Sequence, residues 1–416
     1  MILYPTSLGP AEASARRWQI SLELKSFLIL GCVAVSGCAS TSKAPTSRSQ
    51  GEAAPVFRAD QVIPPHLVRG SNYRIAGRVP VEEYEYIFSI KSDFGDIEAR
   101  GRDMLDLRLR ELKSIESAKK LSKDPKVVDG VLDPLKDTGK GFMLLVTEPL
   151  ESLKRAPRGF SRMVNQYTDP SDRRAGSPAR RKLATELDCD PETTNPVLKK
   201  LLDDMAMQQF GGSLLTRAAI SFVPGLSLLP ATAEIKDTIA NSPPSVINDG
   251  IDKKLEAAGV EKSIRSRFHK SAAFTTMQRL QLMELFTALN SAGDAAALLE
   301  GAAEARNQSE ALGAIREGKM LVDIHKRKPI VRLEFVGMPL AVLGDQTRVI
   351  VCPYDYVTNT QELAEGVSAY RAKNPNVKTV FVSADRVSPA ARKTLESANI
   401  TVVEGGPSNW RPKQSK

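Results

Sequence analysis

An alternation of apolar and polar residues marks one segment early in the chain, and this is the pattern of a strand with one buried face. Shorter apolar runs flank it at residues 73–76 and 97–99, and leucines at helical spacing follow. We therefore predict a small antiparallel sheet with one helix over residues 73–182, extended by a proline-containing, loop-rich segment. The alternating apolar side chains are Tyr84, Tyr86, Phe88 and Ile90.

Helical periodicity dominates the centre of the chain, residues 183–317. Asn195-Pro196 is typical of a helix start, and apolar residues at helical spacing follow it. The most apolar stretch, residues 210–235, is interrupted by Gly211-Gly212 and by Pro224-Gly225. A membrane span is smoother than this, so we interpret it as a buried helical hairpin. Insertion into a membrane, or docking in a partner's groove, is the alternative.

Residues 318–405 change to short β-branched runs separated by turns, which predicts an α/β module of βββαβαβ order. One helix is expected to begin at Asn359, with Glu362 as its capping partner, and the next at Ser388-Pro389. Residues 406–416 are predicted to be a disordered tail. The whole chain is thus predicted to be mixed α+β. The predicted strands and helices of the module are residues 330–336, 340–343, 348–352, 360–373, 379–382, 389–397 and 400–403.

The carboxyl ends of three of these strands would meet at one edge if the strands are parallel. Ligands of open α/β sheets bind at such an edge. Loops also carry polar residues simply as turns and caps, and that interpretation stays open here. The candidate ligand residues at this edge are Asp355, Tyr356, Ser383, Asp385, Arg386 and Glu404.

The order of elements in residues 300–405 resembles that of the restriction-endonuclease-like, or PD-(D/E)XK, superfamily. Those enzymes hold metal with an Asp on the second strand and a Glu-x-Lys on the third. Here the third strand, residues 348–352, has neither Glu nor Lys. The resemblance therefore implies a degenerate module that binds a nucleotide, nucleic acid or small anionic ligand and cleaves nothing.

Composition limits the number of domains and the size of their cores, but it does not indicate a reaction. The 416 residues are 42% hydrophobic with a net charge of +9, which allows large cores and two or three domains. The positive charges either attract anionic lipid or nucleic acid, or are dispersed over solvated faces. The three histidines fall in separate regions, and no metal, thiol or serine-hydrolase motif occurs. We predict no catalytic residue, no metal and no cofactor.

The N-terminal segment has a more specific pattern of residues than the rest of the chain. Lys25 precedes an apolar run too short to span a bilayer, and Val35-Ser36-Gly37-Cys38 ends it before the chain turns polar. This segment resembles the lipobox of bacterial lipoprotein signal peptides. The resemblance implies cleavage before Cys38 and lipidation of its thiol, with residues 1–37 as signal peptide. Cys32 is a second candidate, but bulky Leu30 lies two positions before it.

Several expectations follow from the lipobox. Residues 38–72, rich in Ser, Thr, Ala and Pro, are predicted to be a disordered tether. Residues 1–24 are an unusual leader, so translation from Leu22 or Leu24 is a further hypothesis. Cys189 and Cys352 would either pair in an oxidising compartment or stay as buried thiols, which we favour for Cys352.

The interpretation we favour is a lipid-anchored protein of the bacterial outer membrane that faces the periplasm. Absence of Asp beside Cys38 favours that membrane by analogy with lipoproteins. Its body would bind or scaffold an envelope protein without doing chemistry, and nucleic acid is not expected as its partner. The alternative is ligand binding by the degenerate nuclease-like module.

Overall fold

The protein is a mixed α+β structure, which confirms the fold class predicted from the sequence. Predicted lipidation at Cys38 and the apolar stretch 210–230 fall outside the residues described. The computed structural model describes residues 51–121, 143–144, 177–208 and 231–410.

The chain divides into two compact units. The larger unit consists of Pro55–Ala288 with Ala302–Lys319. The C-terminal unit consists of Leu289–Gly301 and the described residues from Met320 onward, together with residues 51–54. Predicted regions 73–182 and 183–317 thus share most of one unit. The physical reason is that the helix Arg102–Leu121 contacts the central region directly, and the hydroxyl of Ser114 donates to the carbonyl of Leu187 at 2.8 Å.

One sheet of short strands forms the base of the larger unit. Its strands are β1 (Val56–Arg58), β2 (Tyr73–Ile75), β3 (Arg78–Glu82), β4 (Glu85–Ser92), β5 (Gly95–Arg100) and β6 (Met143–Leu144). Strands β1, β3, β4 and β5 are neighbours in that order and antiparallel, β2 pairs with β4, and β6 lies parallel to β5. Tyr86, Phe88 and Ile90 of β4 are buried, as the alternation predicts.

Part of the segment predicted to be a disordered tether is folded, which corrects that prediction. Strand β1 pairs with β3, and it leads into helix α1 (Ala59–Val62) and a 3-10 turn at Pro65–Leu67. Val62 and Leu67 are buried. The few apolar residues of this segment are too sparse to show a period, but partners elsewhere in the unit cover them.

Helices make up the rest of the larger unit, from α2 to α8 and the first part of α10, whereas α9 and the end of α10 belong to the C-terminal unit. These helices are α2 (Arg102–Leu121), α3 (Pro178–Glu186), α4 (Pro196–Gln208), α5 (Ala233–Asn241), α6 (Pro244–Ala257), α7 (Lys262–Lys270), α8 (Thr276–Ala288), α9 (Ala296–Ala302) and α10 (Gln308–Arg327). Asn195 caps α4 through its Oδ1, which accepts the backbone N–H of Val197 at 3.1 Å, as the Asn-Pro start predicts. No helix among the described residues is long and apolar enough to cross a membrane.

The C-terminal unit is organised around a five-stranded sheet. Its elements are β7 (Ile330–Phe335), β8 (Pro339–Leu343), β9 (Arg348–Cys352), β10 (Tyr356–Val357), α11 (Gln361–Lys373), β11 (Thr379–Ser383), β12 (Arg386–Val387), α12 (Pro389–Ser397) and β13 (Ile400–Val403). The sheet order is β13-β11-β9-β8-β7. The first three strands in sequence form an antiparallel meander, whereas β9, β11 and β13 are parallel.

Three details of this unit differ from or confirm the predictions. Thr360, not Asn359, caps α11, because its side chain accepts the N–H of Leu363. Ser388 caps α12 with Pro389 at the first position, as predicted. The chain is ordered beyond residue 406, since a 3-10 turn at Pro407–Asn409 leads to the buried Trp410.

Both described cysteines, Cys189 and Cys352, are buried thiols outside any disulfide, which fits the alternative favoured for Cys352. Burial raises the pKa of the Cys189 thiol well above its ordinary value, and nearby carboxylates including Glu111 raise it further. A thiol held protonated in this way is a poor nucleophile.

Candidate functional site

The carboxyl ends of β9, β11 and β13 lie at one edge of the sheet, as the predicted parallel order requires. Ser383 pairs in register with Cys352, and Val382 pairs with Val403. Ser383 ends β11, and the other five candidate residues lie in the loops and short strands that follow β9, β11 and β13, so the topology gathers all six at this edge. We call this region, from those loops to the first residues of α11 and α12, the carboxyl edge.

The loops of the carboxyl edge bond to one another and cover the strand ends. Strands β10 and β12 pair in parallel, with Tyr356 opposite Arg386. Backbone bonds continue the closure from Arg386 N–H to the carbonyl of Asp355 at 3.2 Å, and from Gly405 N–H to that of Asp385 at 2.8 Å. The backbone therefore fills much of the crevice where a ligand of an open sheet would lie.

Glu404 has a structural role at this edge. Its Oε1 accepts the backbone N–H of Val387 at 2.5 Å, and its Oε2 lies 2.5 Å from a guanidinium nitrogen of Arg392. The carboxylate thereby ties the end of β13 to β12 and α12. With both oxygens engaged, Glu404 is not a free general base.

Three members of the set are buried: Asp355 and Ser383, both with no exposed surface, and Tyr356. No described residue is hydrogen-bonded to the Ser383 hydroxyl, which is uncommon for a fully buried polar group. No base among the described residues is bonded to this hydroxyl, so nothing there activates it as a nucleophile. Within the described part of the chain, no group of three or more His, Cys, Asp or Glu residues could hold a metal ion.

Sequence reasoning missed one residue of the carboxyl edge, Glu52. Its backbone N–H donates to the carbonyl of Asn359 at 3.1 Å, and its Oε2 accepts the backbone N–H of Asn359 at 3.1 Å. The same oxygen accepts the hydroxyl of Ser388. More than 300 positions separate Glu52 from these partners, and no local pattern in the sequence signals such a contact.

Burial of Tyr356 is the main cause of its raised phenol pKa, and the negative charge of Glu52 adds to it. Arg386 opposes this shift and Glu404 reinforces it, so candidate residues interact electrostatically with one another and with Glu52. The topology thus gathers the predicted set at one edge of the sheet, where Glu52 adds a further carboxylate whose charge reaches Tyr356.

The larger unit contains a separate small cavity of about 60 Å³ beside the loop that follows α3. That volume holds about two water molecules, at about 30 Å³ for each water. Asp190 lies in its wall and accepts the hydroxyl of Thr275 at 2.5 Å, while Lys236 pairs with Asp188 at 2.5 Å. Burial, and next the charge of Glu192, raise the pKa of Asp190 to about 7.

The loop beside this cavity is fixed by buried polar bonds. Glu111 of α2 accepts the Thr193 hydroxyl at 2.5 Å and pairs with Arg108 at 2.7 Å, and both partners of that ion pair are buried. These buried bonds hold one wall of the cavity in place. Its small volume suits water better than an organic ligand.

Comparison of the chain with protein-family models, with curated proteins and with solved structures gives no match. The proposed function therefore rests on the residues of this chain alone.

Proposed function

We propose that the protein is a lipid-anchored component of the bacterial envelope whose body binds or scaffolds an envelope protein. The observation that carries the proposal is Val35-Ser36-Gly37-Cys38 at the end of a short apolar run behind Lys25. A lipidated Cys38 bearing two or more acyl chains would hold the protein stably on a membrane. The proposed location is the periplasmic face of the outer membrane.

The carboxyl edge supports a binding role more than a catalytic one. Glu404 is neutralised by Arg392, and Glu52 is held by backbone and hydroxyl donors. General acid–base chemistry needs a titratable group that can reach a substrate. These carboxylates instead bind neighbouring parts of the chain.

Metabolic labelling with palmitate tests the anchor. The wild-type chain is expected to incorporate label, and Cys38→Ala to lose it, because the thiol of Cys38 carries the diacylglycerol. Cys32→Ala is the matched control and is expected to keep the label. Label retained in Cys38→Ala, or absent from the wild type, would contradict the proposal.

A second candidate function is binding of a small anion, nucleotide or nucleic acid by the C-terminal unit. Two helix starts meet a carboxylate at the carboxyl edge, and helix N-termini favour anions. The meander β7-β8-β9 followed by parallel β11 and β13 supports the proposed likeness to degenerate restriction-endonuclease-like modules. Titration of the whole chain with DNA and nucleotides over a salt series tests it. Binding at micromolar protein that weakens with salt is expected, and its absence counts against this candidate.

A further inference from the structure

The N-terminal segment that enters the described structure, Gly51–Ala54, belongs to the C-terminal unit and not to the larger unit that follows it in sequence. The contacts responsible lie at the carboxyl edge. They involve the first residues of two helices, α11 and α12, which are longer than two turns. The segment therefore docks at a defined place in the fold.

The donors that hold the Glu52 carboxylate form a built site. Ser388, the cap residue of α12, is fully buried, and its hydroxyl donates to Glu52 while accepting the N–H of Ala391 at 3.0 Å. Asn359 precedes the cap of α11, and Thr394 fixes its side chain by donating to Oδ1 at 2.9 Å. The Ser388 hydroxyl is thus oriented by a bond that does not involve Glu52, and Thr394 holds the side chain of the residue whose backbone N–H donates to Glu52.

Electrostatics favour a carboxylate at this position. The positive ends of the α11 and α12 dipoles both lie beside Glu52, and hydrogen bonds to an ionised acceptor are stronger than neutral ones. A neutral side chain of the same shape would keep part of the geometry and lose the charge contribution. The site therefore prefers an anionic side chain.

The close approach of Gly51 to the chain at residues 359–360 makes the site selective for a residue without a Cβ. A Cβ on this residue would lie 3.2 Å from the carbonyl oxygen of Asn359 and 3.3 Å from the Cα of Thr360. Those neighbours are backbone atoms at a helix start, so they give way less easily than a side chain would. Only glycine fits this approach without displacement.

We propose that the carboxyl edge is a carboxylate-binding site whose ligand is an acidic Gly-Glu segment, supplied by Gly51–Glu52 of the same chain. The segment acts as a latch that fastens the chain arriving from Cys38 to the C-terminal unit. Only the link to a membrane anchor rests on the proposed function. An external anion would have to displace Glu52 to bind here.

Hydrogen exchange of the full chain tests the latch, with Cys38→Ala present throughout so that the outcome is independent of lipid. Glu52→Ala is expected to speed exchange at least about tenfold in peptides that contain Glu52 and Asn359, because each supplies an amide of the latch. Glu362→Ala is the matched control, since it removes an exposed carboxylate from the first turn of α11. That control is expected to leave both peptides unchanged.

A second pair of variants tests the steric part of the site. Gly51→Val is expected to open the latch as Glu52→Ala does, whereas Val at the neighbouring exposed Ala53 is expected to leave it closed. Equal exchange in Glu52→Ala and the wild type would overturn the proposal. So would protection that rises with protein concentration, because a second copy would then supply the segment.

Discussion

Glu317 shows how one buried side chain sets a pH response. It lies in α10 with 7% of its surface exposed, and burial raises the pKa of its carboxyl to about 8. In the unfolded chain the same group titrates near 4.5. Between these values the folded state holds a proton that the unfolded state has lost, so stability falls as pH rises through this window.

Glu317→Gln is expected to remove that pH dependence. At pH 4 the variant and the wild type should have similar free energies of unfolding, because the group is protonated in both states. At pH 8 the variant should be more stable by a few kcal/mol, since each pKa unit corresponds to about 1.4 kcal/mol. Urea unfolding at several pH values measures the difference. A constant difference across the range would show that Glu317 does not titrate this way.

Arg108 and Glu111 show a different consequence of burial. Their ion pair is almost fully excluded from water, and the Glu111 carboxylate also accepts hydrogen bonds from the side chains of Thr193 and Asn195. Glu111→Leu should cost about 3–5 kcal/mol, because it leaves the guanidinium of Arg108 in the core without its counter-ion. Adding Arg108→Met should recover part of that loss.

Urea denaturation measures both variants of the buried pair. The exposed pair Lys120–Glu116 is the control, and Glu116→Leu should change stability by less than about 1 kcal/mol. If the double variant is as unstable as Glu111→Leu alone, the unpaired charge is not the cause.

At the scale of elements, helix interiors test how far local propensity decides stability. Gly250 in α6 has open space where a Cβ would stand, while Gly301 in α9 would place a Cβ 3.1 Å from a ring carbon of Pro339. Gly250→Ala should stabilise by about 0.5–1 kcal/mol. Gly301→Ala should gain nothing or destabilise, because packing opposes propensity there. Thermal unfolding compares them, and equal gains would contradict the packing at Pro339.

Predictability from sequence also differs between elements. Strand β4 shows its burial as an alternation, and Ser388-Pro389 marks a helix start chemically, so both are predicted from local residues. Strand β1 is missed, because its stability comes from pairing Val56 with Pro80, a contact no local period reveals.

The candidate site likewise has one part that the sequence predicts and one that it does not. The carboxyl edge is predicted, because the sequence indicates the order of the strands. The presence of Glu52 at this edge is not predicted, because one carboxylate in a Ser- and Ala-rich segment has no local feature that indicates its partners. Gly51 likewise becomes informative only when the carbonyl of Asn359 is seen beside it.

At the scale of the whole molecule, the proposed lipid anchor, the proposed latch and the folded body follow one another along the chain. The lipobox-like segment ends at Cys38, and the described chain begins 13 positions later at Gly51, already at the carboxyl edge. A membrane anchor at Cys38 would therefore hold the C-terminal unit through a short connection. The proposed binding role depends first on that anchor.

Mass spectrometry of the N-terminal peptide of protein isolated from envelopes tests the proposed lipid anchor. A mature chain that begins at Cys38 is expected, with diacylglycerol on the thiol and an additional acyl chain on the amine. Unmodified Cys38, or a mature peptide that includes residues before it, would overturn the lipid anchor.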